Sequence, residues 1–218
     1  MRRRALLTPE AWGGASLNGA PAVDVRGLVL DGPARPGSGR RALRAWMVAD
    51  ACCAAPGLVV GDDERMRCGG CGAWYSASHS ADRMLLARSR HPVGVDVQQE
   101  RPRPAAMRAL ARVCRLTEPG LPHWVLFEAS LKALGQAQRM PDRGQYILPE
   151  SVTHEGDGLP DGPFERLISA GSGAMGRVSL RGEVQVLYWV FSWHIGYEVE
   201  AALVCDVGPA TQDPPNPR

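Results

Sequence analysis

The sequence predicts an α+β protein. Apolar residues recur at helical steps over 40–54, 104–115 and 124–138, whereas the C-terminal third (178–204) turns to the alternation and turn chemistry of strands. Residues 1–38 are rich in Gly, Pro and Ala, with short apolar patches such as GLVL at 27–30. The basic opening MRRRALLTPEAW has an apolar part only from Ala5 to Leu7 and is not expected to act as a signal peptide. Leu43, Trp46, Met47 and Ala51 define the first helix, RRALRAWMVADACCA (40–54), with Pro56-Gly57 as its stop. LVV (58–60) and WYSAS (74–78) read as short strands. RMLLARS (83–89) and VGVDV (93–97), on either side of Arg90-His91-Pro92, suggest a hairpin. PAAMRALARVCR (104–115) has Pro104 where a helix tolerates proline and arginines toward its end. In 124–138, Trp124, Phe127, Leu131 and Leu134 form one apolar stripe. The run from Val178 to Val204 reads as a three-strand antiparallel meander, and the tail 209–218 as disordered.

At 218 residues the chain has material for one large domain or two small ones. A hydrophobic fraction of 44%, a charged fraction of 22% and a net charge of +2 are ordinary for a globular protein. They argue against nucleic acid or a membrane surface as partner. No apolar run approaches the roughly 20 residues of a membrane span. Six cysteines (Cys52, Cys53, Cys68, Cys71, Cys114 and Cys205) without an export signal read as cytosolic thiols, so a cytoplasmic location is expected. Cys68-Gly-Gly-Cys71 alone has metal-ligand spacing, and a four-ligand zinc site would have to recruit Cys52 and Cys53. Its plain reading is a glycine-rich turn.

Several polar residues sit where chemistry could be done. Strand alternation puts Val93, Val95 and Val97 on one face and Gly94, Asp96 and Gln98 on the other. Asp96 could face water at a strand end or belong to a site. Glu128 and Lys132 share a helix face at i, i+4, and Lys132 is the chain's only lysine. As a surface ion pair they would contribute about 0.2–0.5 kcal/mol. As a metal carboxylate with an ammonium one turn away, they would be a phosphate site. His79 stands between Ser78 and Ser80, with hydroxyls beside it that suit phosphate oxygens.

SASHSADRMLLARSRHPVGVDVQQERP (76–102) and WVLFEASLKALG (124–135) resemble, in order and spacing, two blocks of the single-chain, surfactin-type 4'-phosphopantetheinyl transferases. One block is a Ser-His-Ser element, a strand and Gly-(Val/Ile)-Asp-x-Glu; the other is Trp-x-x-Lys-Glu-(Ala/Ser)-x-x-Lys-x-x-Gly. The resemblance implies a transferase-like fold of two similar α/β subdomains forming an intramolecular pseudodimer. Residues 1–91 would be the coenzyme A side and 92–208 the metal and catalytic side. It implies Mg²⁺-dependent transfer of the phosphopantetheine arm of coenzyme A to a serine of an acyl, aryl or peptidyl carrier protein, by a monomer serving polyketide or nonribosomal peptide biosynthesis. Adenosine 3',5'-bisphosphate would leave. By the family pattern Asp96, Gln98 and Glu128 would hold Mg²⁺, while Glu128 and Lys132 would act in catalysis. Ser78, His79 and Lys132, with Arg41 and Arg44 of the first helix, would bind coenzyme A phosphates.

Four departures from the pattern stand out. Gln98 replaces a glutamate, and Phe127 replaces the lysine before the catalytic glutamate. GGCGAWY (69–75) occupies the place of a Gly-Lys-Pro element, and segment 97–123 is shorter than in the family. The alternatives are a relative that binds coenzyme A or a carrier without transferring the arm, or an unrelated protein with a metal knuckle at Cys68 and Cys71.

Overall fold

The computed structural model describes residues 23–99, 103–137 and 148, and the backbone of three later strands. The expected tail (209–218) and the opening stretch lie outside the described residues. The first sheet is antiparallel, in the order β1-β5-β4-β3-β2. Its strands are β1 (Val23–Val29), β2 (Leu58–Val60), β3 (Met66–Cys68), β4 (Trp74–Ser80) and β5 (Arg83–Ser89). β1 and β3 were not read from the sequence. Alternation in β1 holds only over Val23-Asp24-Val25-Arg26 before Gly27, and β3 is only three residues long, MRC.

Helix α1 (Ser38–Ala49) buries Gly39, Leu43, Trp46 and Met47 and packs on β4 and β5. It is shorter than the 40–54 expected. Asp50 caps it, and its carboxylate accepts hydrogen bonds from Trp46 Nε1 (2.5 Å) and Arg26 Nη2 (2.8 Å). Ala51 then takes a left-handed φ of 43°, which turns the chain away. Cys52 and Cys53 therefore leave the helix and join a core with Tyr75, Met84 and Leu86.

The second sheet is also antiparallel, in the order β6-β9-β8-β7. It comprises β6 (Val93–Gln99), β7 (Ala174–Leu180), β8 (Val184–His194) and β9 (Glu198–Asp206). The C-terminal meander is thus present, with β6 added at its edge. The expected hairpin of 83–89 with 93–97 does not form. β5 pairs with β1 and β4, whereas β6 pairs with β9. Arg90, His91 and Pro92 carry the chain from one sheet to the other, because both edges of β5 are already occupied.

Helix α2 (Pro104–Cys114) ends at Arg115, which is left-handed at φ 59°. Helix α3 (Leu121–Ala133) begins three residues earlier than its apolar stripe suggested, and His123 Nδ1 accepts the Gly120 N–H at 3.1 Å to close its first turn. It is buried well beyond that stripe: Val125, Leu126, Ala129 and Ala133 are as deep as Phe127 and Leu131. A helix apolar on most sides belongs in an interior, and α3 packs against β6, β8 and β9. Among the described residues one buried cluster lies under α1 and another around α2 and α3.

Candidate functional site

The two sheets are joined by serines. Ser76, Ser78 and Ser80 alternate along β4 beside the edge of β6. Ser76 Oγ accepts the Val95 N–H at 3.1 Å and Ser80 Oγ accepts the Gln99 N–H at 2.8 Å. An unpaired strand edge must have its N–H groups satisfied, and hydroxyls here replace a neighbouring strand. The middle serine, Ser78, instead donates to Asp96 Oδ1 at 2.7 Å.

Asp96 is only 2% exposed, which removes the reading of a strand-end carboxylate facing water. Lys132 reaches across from α3 and donates to Asp96 Oδ1 at 2.7 Å and to the Val95 carbonyl at 2.9 Å. The surface pair of Glu128 with Lys132 is therefore not the arrangement found: the ammonium turns inward to the strand. The reason is how closely α3 lies on β6. At Gly94 a Cβ would stand 1.9 Å from the Ala129 carbonyl oxygen, so the helix backbone occupies the space of the missing side chain. Glycine here brings Glu128 and Lys132 to the level of Asp96.

Gln98 completes the group. Its Nε2 donates to Asp96 Oδ2 at 2.9 Å, and its Oε1 accepts Arg103 Nη2 at 2.5 Å. Arg103, just before α2, was missed in the sequence because nothing in QQERPRP distinguishes it from a loop arginine. Burial raises the Glu128 carboxyl above its ordinary value, and the negative charge of Asp96 adds to this; Lys132 and Arg103 oppose it. Two carboxylates close enough to repel, with an amide oxygen beside them, form a hard-oxygen donor set of the kind that suits Mg²⁺.

The other expected ligands are exposed. His79 is exposed, on the opposite pleat of β4 from Ser78. Arg41 and Arg44 are exposed on α1, with Arg41 donating to Ser38 Oγ at 3.0 Å. A cleft of about 160 Å³ lies between the sheets, and Lys132, Val93, Ser76 and Arg40 are among its walls. Arg40, rather than Arg41 or Arg44, is the helix arginine at the cleft. Its position three residues before Leu43 and seven before Met47 places it nearest the buried face, a signal the apolar spacing could have supplied. Phe127, in the place of a family lysine, is a core residue at 2% exposure with its ring 6.2 Å from that of Trp124.

Replacing Gln98 by glutamate sets a carboxylate against Asp96 Oδ2 while retaining an acceptor for Arg103. The expected result is a loss of about 1–2 kcal/mol without metal, a fall in Tm of a few degrees. Mg²⁺ should reverse it and bind more tightly than to the parent. Thermal melts of both proteins across a Mg²⁺ series check this, and equal responses would mean that position 98 does not face a Mg²⁺ site. No protein-family model matches this chain, and no curated protein matches it either.

Proposed function

We propose that the protein transfers the phosphopantetheine arm of coenzyme A to a serine of a carrier protein, in a fold of two α/β halves related as a pseudodimer. The observation that most supports this reading is the meeting of two motifs far apart in sequence. Asp96 and Gln98 of β6 form one hydrogen-bonded group with Lys132 of α3, with Asp96 buried at its centre, and Glu128 feels the charge of Asp96. Asp96, Gln98 and Glu128 would hold Mg²⁺, which when bound offsets pyrophosphate charge.

The remaining roles follow from the side chains. Lys132 uses two of its three donors within the protein, which leaves one for a phosphate oxygen in the cleft. Arg40 lines the same cleft and adds a second cation. The carrier serine Oγ attacks the phosphorus bearing the pantetheine arm, the bond to the bridging oxygen breaks, and adenosine 3',5'-bisphosphate leaves. Glu128, more basic than an ordinary carboxylate through its burial, accepts the serine proton. Phosphoryl transfer requires mainly positioning and charge stabilisation, which these groups supply. The cleft is smaller than the roughly 300–1,000 Å³ of most ligand pockets, so most of coenzyme A would lie along the surface outside it.

Incubation with coenzyme A, Mg²⁺ and several apo carrier proteins, followed by mass spectrometry of the carriers, tests the reading. A gain of one phosphopantetheine arm is expected. Coenzyme A binding without any gain supports the second reading, a relative that binds but does not transfer. That reading is favoured by the burial of Phe127 and by Arg103 holding the Gln98 carbonyl.

Lys132→Arg separates these readings further. A guanidinium cannot reproduce a compact ammonium held between the Val95 carbonyl and Asp96. Loading should fall at least tenfold, about 1.4 kcal/mol in the barrier. Stability should fall by about 1–2 kcal/mol, more than for a surface change, because Asp96 is buried. Full activity in a proven transferase would reduce Lys132 to a structural partner of Asp96.

A further inference from the structure

The Cys68-Gly-Gly-Cys71 turn is not isolated. It faces the loop that follows α1, where the early end of the helix has released Cys52 and Cys53. The four sulfurs all lie within 4.8 Å of one another. Cys68 Sγ stands 3.6 Å from both Cys52 Sγ and Cys53 Sγ, which are 4.0 Å apart. Four sulfurs bound at about 2.3 Å to one tetrahedral ion stand about 3.8 Å apart, so the separations among Cys52, Cys53 and Cys68 match a zinc thiolate site, with Cys71 within reach as the fourth ligand. All four are free thiols, too far apart to be disulfides.

The backbone is shaped for the same purpose. At Gly70 a Cβ would meet the Ala55 carbonyl oxygen at 2.5 Å and Cys53 Sγ at 2.6 Å, so only glycine lets the two loops close on each other. Gly72 has a left-handed φ of 76° and donates its N–H to the Cys68 carbonyl at 2.9 Å, folding Cys71 back toward Cys68. Backbone N–H groups of Cys71, Gly57 and Gly70 lie within hydrogen-bonding reach of the Cys68 sulfur. The buried Tyr75 hydroxyl lies beside Cys52 and Arg88 and can donate to the Cys52 sulfur.

We infer that Cys52, Cys53, Cys68 and Cys71 bind one structural zinc ion. All four ligand positions come from the chain, which leaves no open position for chemistry. The ion ties the end of α1 to β3 and the turn into β4. That region otherwise depends on two strands of three residues each at the sheet edge. Cys71 lies in the segment where the resembled family has Gly-Lys-Pro. It stands independently of the transferase reading.

The full chain, purified without chelator or added metal, should carry one zinc per chain by mass spectrometric metal analysis. Replacement by Co²⁺ should give the visible absorption of a tetrahedral thiolate complex. Cys71→Ser, at an exposed ligand, should weaken zinc binding by at least about a hundredfold, since even outer-shell changes cost 10–100-fold. Cys114→Ala, outside the cluster, should retain one zinc. The parent protein in reduced form failing to take up zinc from a zinc buffer would overturn the inference. So would a Cys71→Ser variant that binds zinc as tightly as the parent, or iron found in place of zinc.

Discussion

Asp96→Asn is expected to reduce carrier loading by at least about a hundredfold, the scale on which a lost electrostatic contact at a phosphoryl or acyl centre is felt. The aspartate is the meeting point of the site: Lys132 and Ser78 donate to its Oδ1 and Gln98 to its Oδ2. An amide keeps the shape and one acceptor oxygen but loses the charge that would hold a metal and orient Lys132. Its N–H₂ would face the Gln98 N–H₂, and turning Gln98 over would set the same conflict against Arg103. The stability cost should therefore be about 1–2 kcal/mol, with the fold retained. Asp96→Ala is a poorer test. It strips the acceptor from a partly buried ammonium and a buried hydroxyl, at about 3 kcal/mol or more. Initial loading rates measured beside thermal melts distinguish the two variants. Near-normal loading by the asparagine variant would remove Asp96 from the proposed metal site.

Gly94→Ala should have the largest effect on stability, a loss of more than about 3 kcal/mol. The added methyl would lie 1.9 Å from the Ala129 carbonyl oxygen, 2.6 Å from the Ala133 nitrogen and 3.0 Å from the Ala129 carbonyl carbon. All three are backbone atoms of α3, so no side-chain rotation relieves the clash. The helix must lift from β6 as a body and take Glu128 and Lys132 away from Asp96. The expected outcome is a Tm lower by roughly 6–12 °C, together with loss of loading. Gly57→Ala is the control, since a Cβ there meets nothing within 4 Å. Equal melts for the two variants would mean that α3 does not sit this close to the strand.

The same glycine separates what was legible in the sequence from what was not. Alternation in VGVDVQ put Gly94, Asp96 and Gln98 on one strand face, and helical spacing put Glu128 and Lys132 on one helix face. Both placements are local and follow from the periods of the backbone. The strands of the C-terminal meander were legible for the same reason. Local periodicity also supported a wrong hairpin. Two good strands joined by three residues look paired until the partners of β5 on both sides are known. The end of α1 was misjudged because Arg26, Trp46 and Asp50 come together only in the folded chain.

By itself, the sequence determined an α+β chain, its three helices to within a few residues, the face on which each candidate side chain lies, and a resemblance that nominated Asp96, Glu128 and Lys132 together. Only the tertiary structure decided which faces meet. It turned Lys132 from Glu128 to Asp96, put Arg40 at the cleft in preference to Arg41 and Arg44, used the β4 serines to satisfy an open strand edge, and gathered four cysteines from two loops. The physical reason is common to all of these. Pairing partners, close backbone approach and shared burial depend on segments distant in the chain, and no local period encodes them.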